Sequence, residues 1–367
     1  MATLRREWPL ALTSGFVAGM MLLSPRVKEM TGSPAITLAM LVALCAVILL
    51  GAVAIVRHAE VLAHRLGEPG GTLLLTMAIT GLEAAMVGLV MSTGEEKPTL
   101  ARDTMFAVAM LVLNGFLGVA LLLGGVRHRL QAFNQESANA FLAMIIPLAT
   151  LSLVLPNFTR ATVGPTLSSF QMLFLSVTSV GVYAIFLLVQ NRWHRDFFVH
   201  DSDEEPHPPE RGPGESSATT GWHVGLLGLY GVSVVLLAKQ MSAPLDAAVL
   251  GLGAPPALAG FIVALLVLTP ESIAAIRAAR ENQMQRSVNI LLGSVLASIG
   301  LTVPLVIGVA LTTGRSLVLG LAPAEMILLA LTLAVSMLTF ARPRTNMLAG
   351  SIHLVLFAAA LMLVFDA

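Results

Sequence analysis

Runs of roughly twenty apolar residues, separated by short clusters of charge, proline and glycine, recur along almost the whole chain. A helix rises about 1.5 Å per residue, so a run of about 20 apolar residues is what a helix needs to cross the hydrocarbon of a bilayer. Read this way the pattern predicts eleven spans, at 10–23, 36–56, 72–92, 105–126, 138–155, 167–189, 224–238, 257–276, 288–311, 317–340 and 347–365. The first and seventh are short for the purpose. Between the sixth and seventh lies 191–221, acidic and punctuated by Pro206, Pro208, Pro209 and Pro213, a stretch with too little apolar surface to bury a core. It reads as a hydrophilic linker that nearly halves the chain.

The expected fold is therefore an all-α polytopic membrane protein of about eleven transmembrane helices. One N-terminal helix (1–30) precedes a five-helix repeat (31–190), the linker (191–221) and a second five-helix repeat (222–367). Because five is odd, the two repeats enter the membrane from opposite sides, as an inverted repeat requires. Lys and Arg divide fourteen to seven between alternate connections, which favours a cytoplasmic N-terminus and linker and an outside C-terminus. A bacterial inner membrane is the expected location.

Composition agrees with this pattern. Hydrophobic residues make up 56% and charged residues 11%, with a mean hydropathy of +0.85, against about 25% charged residues in ordinary soluble domains. The formal net charge of zero gives no electrostatic case for a nucleic-acid partner. The single cysteine, Cys45, forms no disulfide within the chain. Arg5 and Arg6 precede the first apolar run, but Ser24-Pro25-Arg26 is a poor cleavage site, so that run reads as a retained helix.

Candidate chemistry lies where polar residues interrupt the spans. Glu271 follows Thr269-Pro270 in the eighth, and Ser294 and Ser298 follow Gly293 in the ninth. In the first half Glu83 follows Thr80-Gly81-Leu82, and Asn114-Gly115 interrupts the next span. An ionisable side chain at such depth is costly in lipid and marks function by default. From Glu83 to Asn114 is 31 residues and from Glu271 to Ser298 is 27, and the longer connection 92–98 accommodates the difference. Each half thus reads as a helix with a central glutamate, a hairpin, and a returning helix with a small polar residue near the same depth. Pro270 cannot donate a backbone hydrogen bond, and Gly81 permits a similar bend, so both are expected as helix breaks that free carbonyl oxygens.

Blander readings stand beside these. Glu271 could reach toward Arg277 or Arg280, and Asn114, Ser294 and Ser298 could serve helix packing. His58, His64, His128, His194, His200 and His207 fall in connections without metal-ligand spacing and are expected to face solvent; His353 is the one histidine placed mid-span. Asp201, Asp203, Glu204 and Glu205 offer hard oxygens for a regulatory cation but lack the spacing of a calcium loop. No His-Glu-x-x-His or Gly-x-Ser-x-Gly motif occurs, which argues against an intramembrane enzyme. A passive channel would not need protonatable groups in both halves.

The chain resembles the calcium/cation antiporter superfamily, in its cation/proton exchanger branch of the bacterial ChaA type. The resemblance rests on Leu268-Thr269-Pro270-Glu271, Arg277-Ala278-Ala279-Arg280 and 293–302 in the second half, and on Leu82-Glu83, 100–104 and Leu113-Asn114-Gly115 in the first. It implies a secondary active transporter, with no cofactor, in which Glu83 and Glu271 alternately bind a divalent cation or protons. It further implies that Asn114 and Ser298, with Ser294 nearby, supply oxygens. The chain departs from better-known members, which carry a Gly-Asn pair shortly before each glutamate, where this chain has Thr80-Gly81-Leu82 and Leu268-Thr269-Pro270. The expected cargo is calcium exchanged for protons, with sodium or potassium as the alternative. The expected partners are inorganic cations, protons and the lipid bilayer, with a homo-oligomer left open.

Overall fold

The structure is a computed structural model and describes residues 7–30, 33–67, 70–92, 97–190, 219–252, 255 and 257–365. Among them the chain forms eleven helices: α1 (Trp8–Met30), α2 (Pro34–Leu66), α3 (Gly70–Ser92), α4 (Leu100–His128), α5 (Gln135–Asn157), α6 (Ser169–Leu188), α7 (Thr220–Leu252), α8 (Ala257–Arg280), α9 (Met284–Thr313), α10 (Pro323–Phe340) and α11 (Met347–Phe365). Ten of these, α2 to α11, are long and apolar enough to cross a membrane, and the apolar part of α1, Trp8–Leu23, is shorter. The protein is an all-α polytopic membrane protein.

Three helices clearly outrun the apolar pattern: α1, expected at 10–23, continues to Met30, and α2 and α7 extend further still. α2 continues through Arg57, His58, Glu60 and His64, which the pattern assigned to a connection. Arg and Glu are good helix formers, so charge alone does not end a helix; α2 stops at Gly67, whose φ of +67° lies in the left-handed region open to glycine. Likewise α7 runs well past the expected 224–238 and through Pro244.

The helices gather into two compact units, one of Met1–Lys97 and Pro208–Pro270, the other of Pro98–His207 and Glu271–Ala367. The division falls inside α8, between Pro270 and Glu271. In the first unit α2 packs on α1, α3 and α7, and α7 also packs on α1 and α3. Gly51 of α2 lies directly against the side chain of Val234 on α7, a closeness that a β-carbon would prevent.

In the second unit the two sides of the linker exchange partners. The third helix of the group α2–α6, α4, is covered by α10 and α11 of the C-terminal half. Reciprocally, the third helix of the C-terminal half, α9, is covered by α5 and α6. Small residues allow the first pairing: a β-carbon on Gly350 of α11 would lie 2.5 Å from the Leu122 nitrogen and 2.7 Å from the Gly118 oxygen of α4. A two-stranded antiparallel ribbon, β1 (Gln131–Ala132) with β2 (Arg344–Thr345), joins the α4–α5 and α10–α11 connections.

Candidate functional site

In the first unit Glu83 sits on α3 with 1% of its surface exposed, one turn after the buried Thr80. Gly81 does not break the helix, since α3 is continuous from Gly70 to Ser92. It faces outward instead, lining an apolar groove of about 470 Å³ with Ile55, Ala78, Leu82, Leu227 and Gly231, and a β-carbon there would meet nothing within 4 Å. The expected break at this glycine is corrected to an uninterrupted helix: a lone glycine costs an α-helix about 1 kcal/mol, too little to disrupt it against the packing of α2 and α7.

The same unit holds a polar cluster that the sequence pattern did not anticipate. Arg57 Nη2 donates to both Glu7 carboxylate oxygens (2.9 and 2.7 Å), and the Tyr230 hydroxyl donates to Glu7 Oε2 (3.0 Å). His58 and His223 meet Nδ1 to Nδ1 at 2.9 Å, so one of the two nitrogens carries the shared proton. His58, expected in solvent, is 2% exposed. Extension of α2 beyond residue 56 carries it onto a helical face covered by α7. Among the other histidines of the expected solvent-facing group, His64 is exposed, and His128 is half-buried with its Nε2 2.9 Å from the Arg280 carbonyl oxygen.

In the second unit Glu271 and Ser294 come together: the Ser294 hydroxyl hydrogen-bonds the Glu271 carboxyl. None of the ion pairs among the described residues involves Glu271, so neither Arg277 nor Arg280 neutralises it. Ser298 and Thr302, both buried, continue from Ser294 at one-turn intervals along α9. Pro270, expected as a helix break, lies within the unbroken α8. It nevertheless withholds an N–H from the Leu266 carbonyl four residues back, and the Thr269 hydroxyl bonds the neighbouring Leu265 carbonyl.

Asn114 lies in the one π-helical segment of α4, Leu111–Phe116, which packs against α9, α10 and α11. Single π-turns widen a helix and often coincide with functional positions. The Asn114 amide is fully buried and donates from Nδ2 to Thr332 Oγ1 of α10 (2.8 Å), while its Oδ1 lies 3.2 Å from His353 Nδ1 of α11. Thr332 and His353 are thus brought to Asn114 by a pairing that spans more than two hundred residues. The mid-span position of His353 was the only local signal of it.

Among the described residues no group of three or more His, Cys, Asp or Glu comes together in a form that could hold a metal ion. Asp201, Asp203, Glu204 and Glu205 lie outside the described residues.

The model of the sodium/calcium exchanger protein family matches residues 36–191 and 222–365. The chain belongs to the sodium/calcium exchanger family. The two matched segments leave residues 192–221 between them, and they coincide with five helices each, α2–α6 and α7–α11. A protein of Sinorhizobium fredii named as an ionic transporter, y4hA, is 45% identical over 86% of this chain and 86% of its own length. The sodium-potassium/proton antiporter ChaA of Escherichia coli is 39% identical over 87% of this chain and 86% of its own. Among solved structures, YfkE, described as a Ca2+/H+ antiporter, matches with a TM-score of 0.73 at 17% identity, covering 97% of this chain and all of its own, and so shares the fold. As a member of this family the protein is a cation exchanger in a membrane, a secondary transporter and not an enzyme.

Proposed function

We propose that this exchanger moves sodium or potassium against protons, with Glu83 and Glu271 as the carboxyl groups that hold a cation or a proton in turn. The observation that carries the coupling is Glu271. Its carboxyl is set in an apolar helix with the Ser294 hydroxyl as hydrogen-bond partner and, among the described residues, no ion pair to a Lys, Arg or His. A carboxylate without a counterion is strongly disfavoured at such depth. It is therefore neutral, by carrying a proton or by binding a cation, and the choice between the two is the exchange. Glu83, buried on α3, plays the matching part from the other half of the chain. Asn114, Ser294 and Ser298 contribute uncharged oxygens, and the carbonyl left undonated by Pro270 is a further one.

The cargo assignment rests on the 39% identity to an antiporter named for sodium, potassium and protons. Calcium is the second reading, favoured by a relative at 23% identity named as a Ca2+/H+ antiporter and by the oxygen-only character of the site, which suits a hard cation. The two matched segments, with five helices each, support two inverted repeats at 31–190 and 222–367, with 1–30 as an added helix and 191–221 as their linker. The Lys and Arg bias supports a cytoplasmic N-terminus, and the bacterial relatives support a bacterial inner membrane. The test is fluorescence of a pH-sensitive dye in everted vesicles, with sodium, potassium and calcium chlorides added separately to an imposed proton gradient. Sodium and potassium dissipate it if the first reading holds; dissipation by calcium alone moves the assignment to the second, and dissipation by none of them refutes both.

A further inference from the structure

His353 has both ring nitrogens engaged in the interior of the second unit. Nδ1 faces Asn114 Oδ1 at 3.2 Å, and Nε2 faces Thr339 Oγ1 at 3.0 Å. Asn114 Nδ2 in turn donates to Thr332 Oγ1 at 2.8 Å and approaches Met110 Sδ at 3.5 Å. The chemistry of the groups fixes where the protons are. An amide oxygen only accepts, so the imidazole proton is on Nδ1, and Nε2 is then an acceptor for the Thr339 hydroxyl. The Thr332 hydroxyl accepts from Asn114 and points its own proton at Met110 Sδ, 3.7 Å away. Thr339, His353, Asn114, Thr332 and Met110 thus form one directed chain of hydrogen bonds across α10, α11 and α4. His353, Asn114 and Thr332 are each 0% exposed.

We propose that His353 is a positioning residue for the cation site: it holds the Asn114 amide with its oxygen, not its nitrogen, available to a cation. This rests on the reading that Asn114 is one of the oxygens of that site. An amide in a π-turn is free to rotate about its last torsion, and with the NH2 group turned around it would repel a cation. Bonds at both ends prevent that rotation, from His353 on the oxygen and to Thr332 on the nitrogen. The His353 bond uses one of the two lone pairs of Oδ1 and leaves the other free.

The variants His353→Leu and His353→Gln separate positioning from packing. Leucine fills a similar volume and cannot hold the amide, whereas glutamine can donate to Asn114 and accept from Thr339. In everted vesicles His353→Leu raises the half-saturating cation concentration about tenfold with a maximal rate within about threefold of the parent. His353→Gln recovers at least half of that loss on a logarithmic scale, and Thr339→Val shifts half-saturation in the same direction by a smaller factor. A half-saturating concentration within twofold of the parent in His353→Leu overturns the proposal, as does a pure loss of maximal rate or an equal defect in both His353 variants. If neither variant yields monodisperse protein in detergent, the residue serves folding and the proposal is also overturned. Glu271→Gln is assayed alongside: exchange that survives it removes the site reading itself, while exchange abolished by it with His353→Leu unaffected removes only the positioning role.

Discussion

At the scale of single residues, the two glutamates differ in their surroundings but share one requirement. Glu83 is almost wholly buried on α3, and Glu271 is hydrogen-bonded by Ser294 and, among the described residues, takes part in no ion pair. Glu83→Gln and Glu271→Gln are each expected to abolish cation-dependent proton movement in vesicles, because a glutamine neither binds a proton nor neutralises a cation; near-normal exchange by either variant refutes the mechanism. Ser294→Ala should be milder. Hydrogen bonds to a charged group contribute about 1.5–3 kcal/mol, and tenfold in affinity corresponds to about 1.4 kcal/mol. The variant is therefore expected to transport with half-saturation raised about tenfold or more, read from the cation titration of dye fluorescence. His58 gives the opposite lesson: a histidine beside an arginine at the edge of an apolar run looked solvated, but it is buried against His223.

At the scale of elements, glycines in α3 and α11 predict opposite outcomes for the same substitution. Gly81 faces open space, so Gly81→Ala removes the backbone-entropy cost of glycine in a helix, about 0.5–1 kcal/mol, without a clash. Gly350 lies against the backbone of α4, so Gly350→Ala must push α11 away from α4. Overpacking of this kind costs about 1–3 kcal/mol. Thermal denaturation in detergent should show a raised midpoint for the first variant and a lowered one for the second; an unchanged midpoint for Gly350→Ala refutes the tight α4–α11 seam. That seam also sets the environment of the π-turn, because a β-carbon on Gly115, next to Asn114, would lie 3.1 Å from the ring of Phe357 on α11.

At the scale of the whole molecule, the exchange of partners in the second unit makes the two sides of the linker interdependent. α4 is covered by helices from beyond the linker, and α9 by helices from before it. Residues 1–205 and 206–367 expressed as separate chains are therefore expected to restore transport only together. Each alone leaves a polar-bearing helix, α4 with Asn114 or α9 with Ser294 and Ser298, without its covering helices. Dye-monitored exchange from either fragment alone refutes this. A reporter active only outside the cytoplasm, fused after Ala367, should be active if the Lys and Arg bias sets the orientation.

The sequence by itself determined the membrane class and the number of helices, and it singled out the glutamates that are the candidate carriers of charge. Those properties are local: twenty apolar residues in a row exclude water wherever they end up, and a glutamate among them is conspicuous without any partner. It misjudged where α2 and α7 end and whether Gly81 and Pro270 interrupt their helices, because packing overrides weak local preferences. Only the tertiary structure decided what surrounds the polar residues. Asn114 meets His353 and Thr332, Glu271 meets Ser294, and Glu7 meets Arg57 and Tyr230. The Asn114 and Glu7 partners are distant in sequence, and they are fixed by the low tolerance of a buried interior for polar groups left without hydrogen bonds.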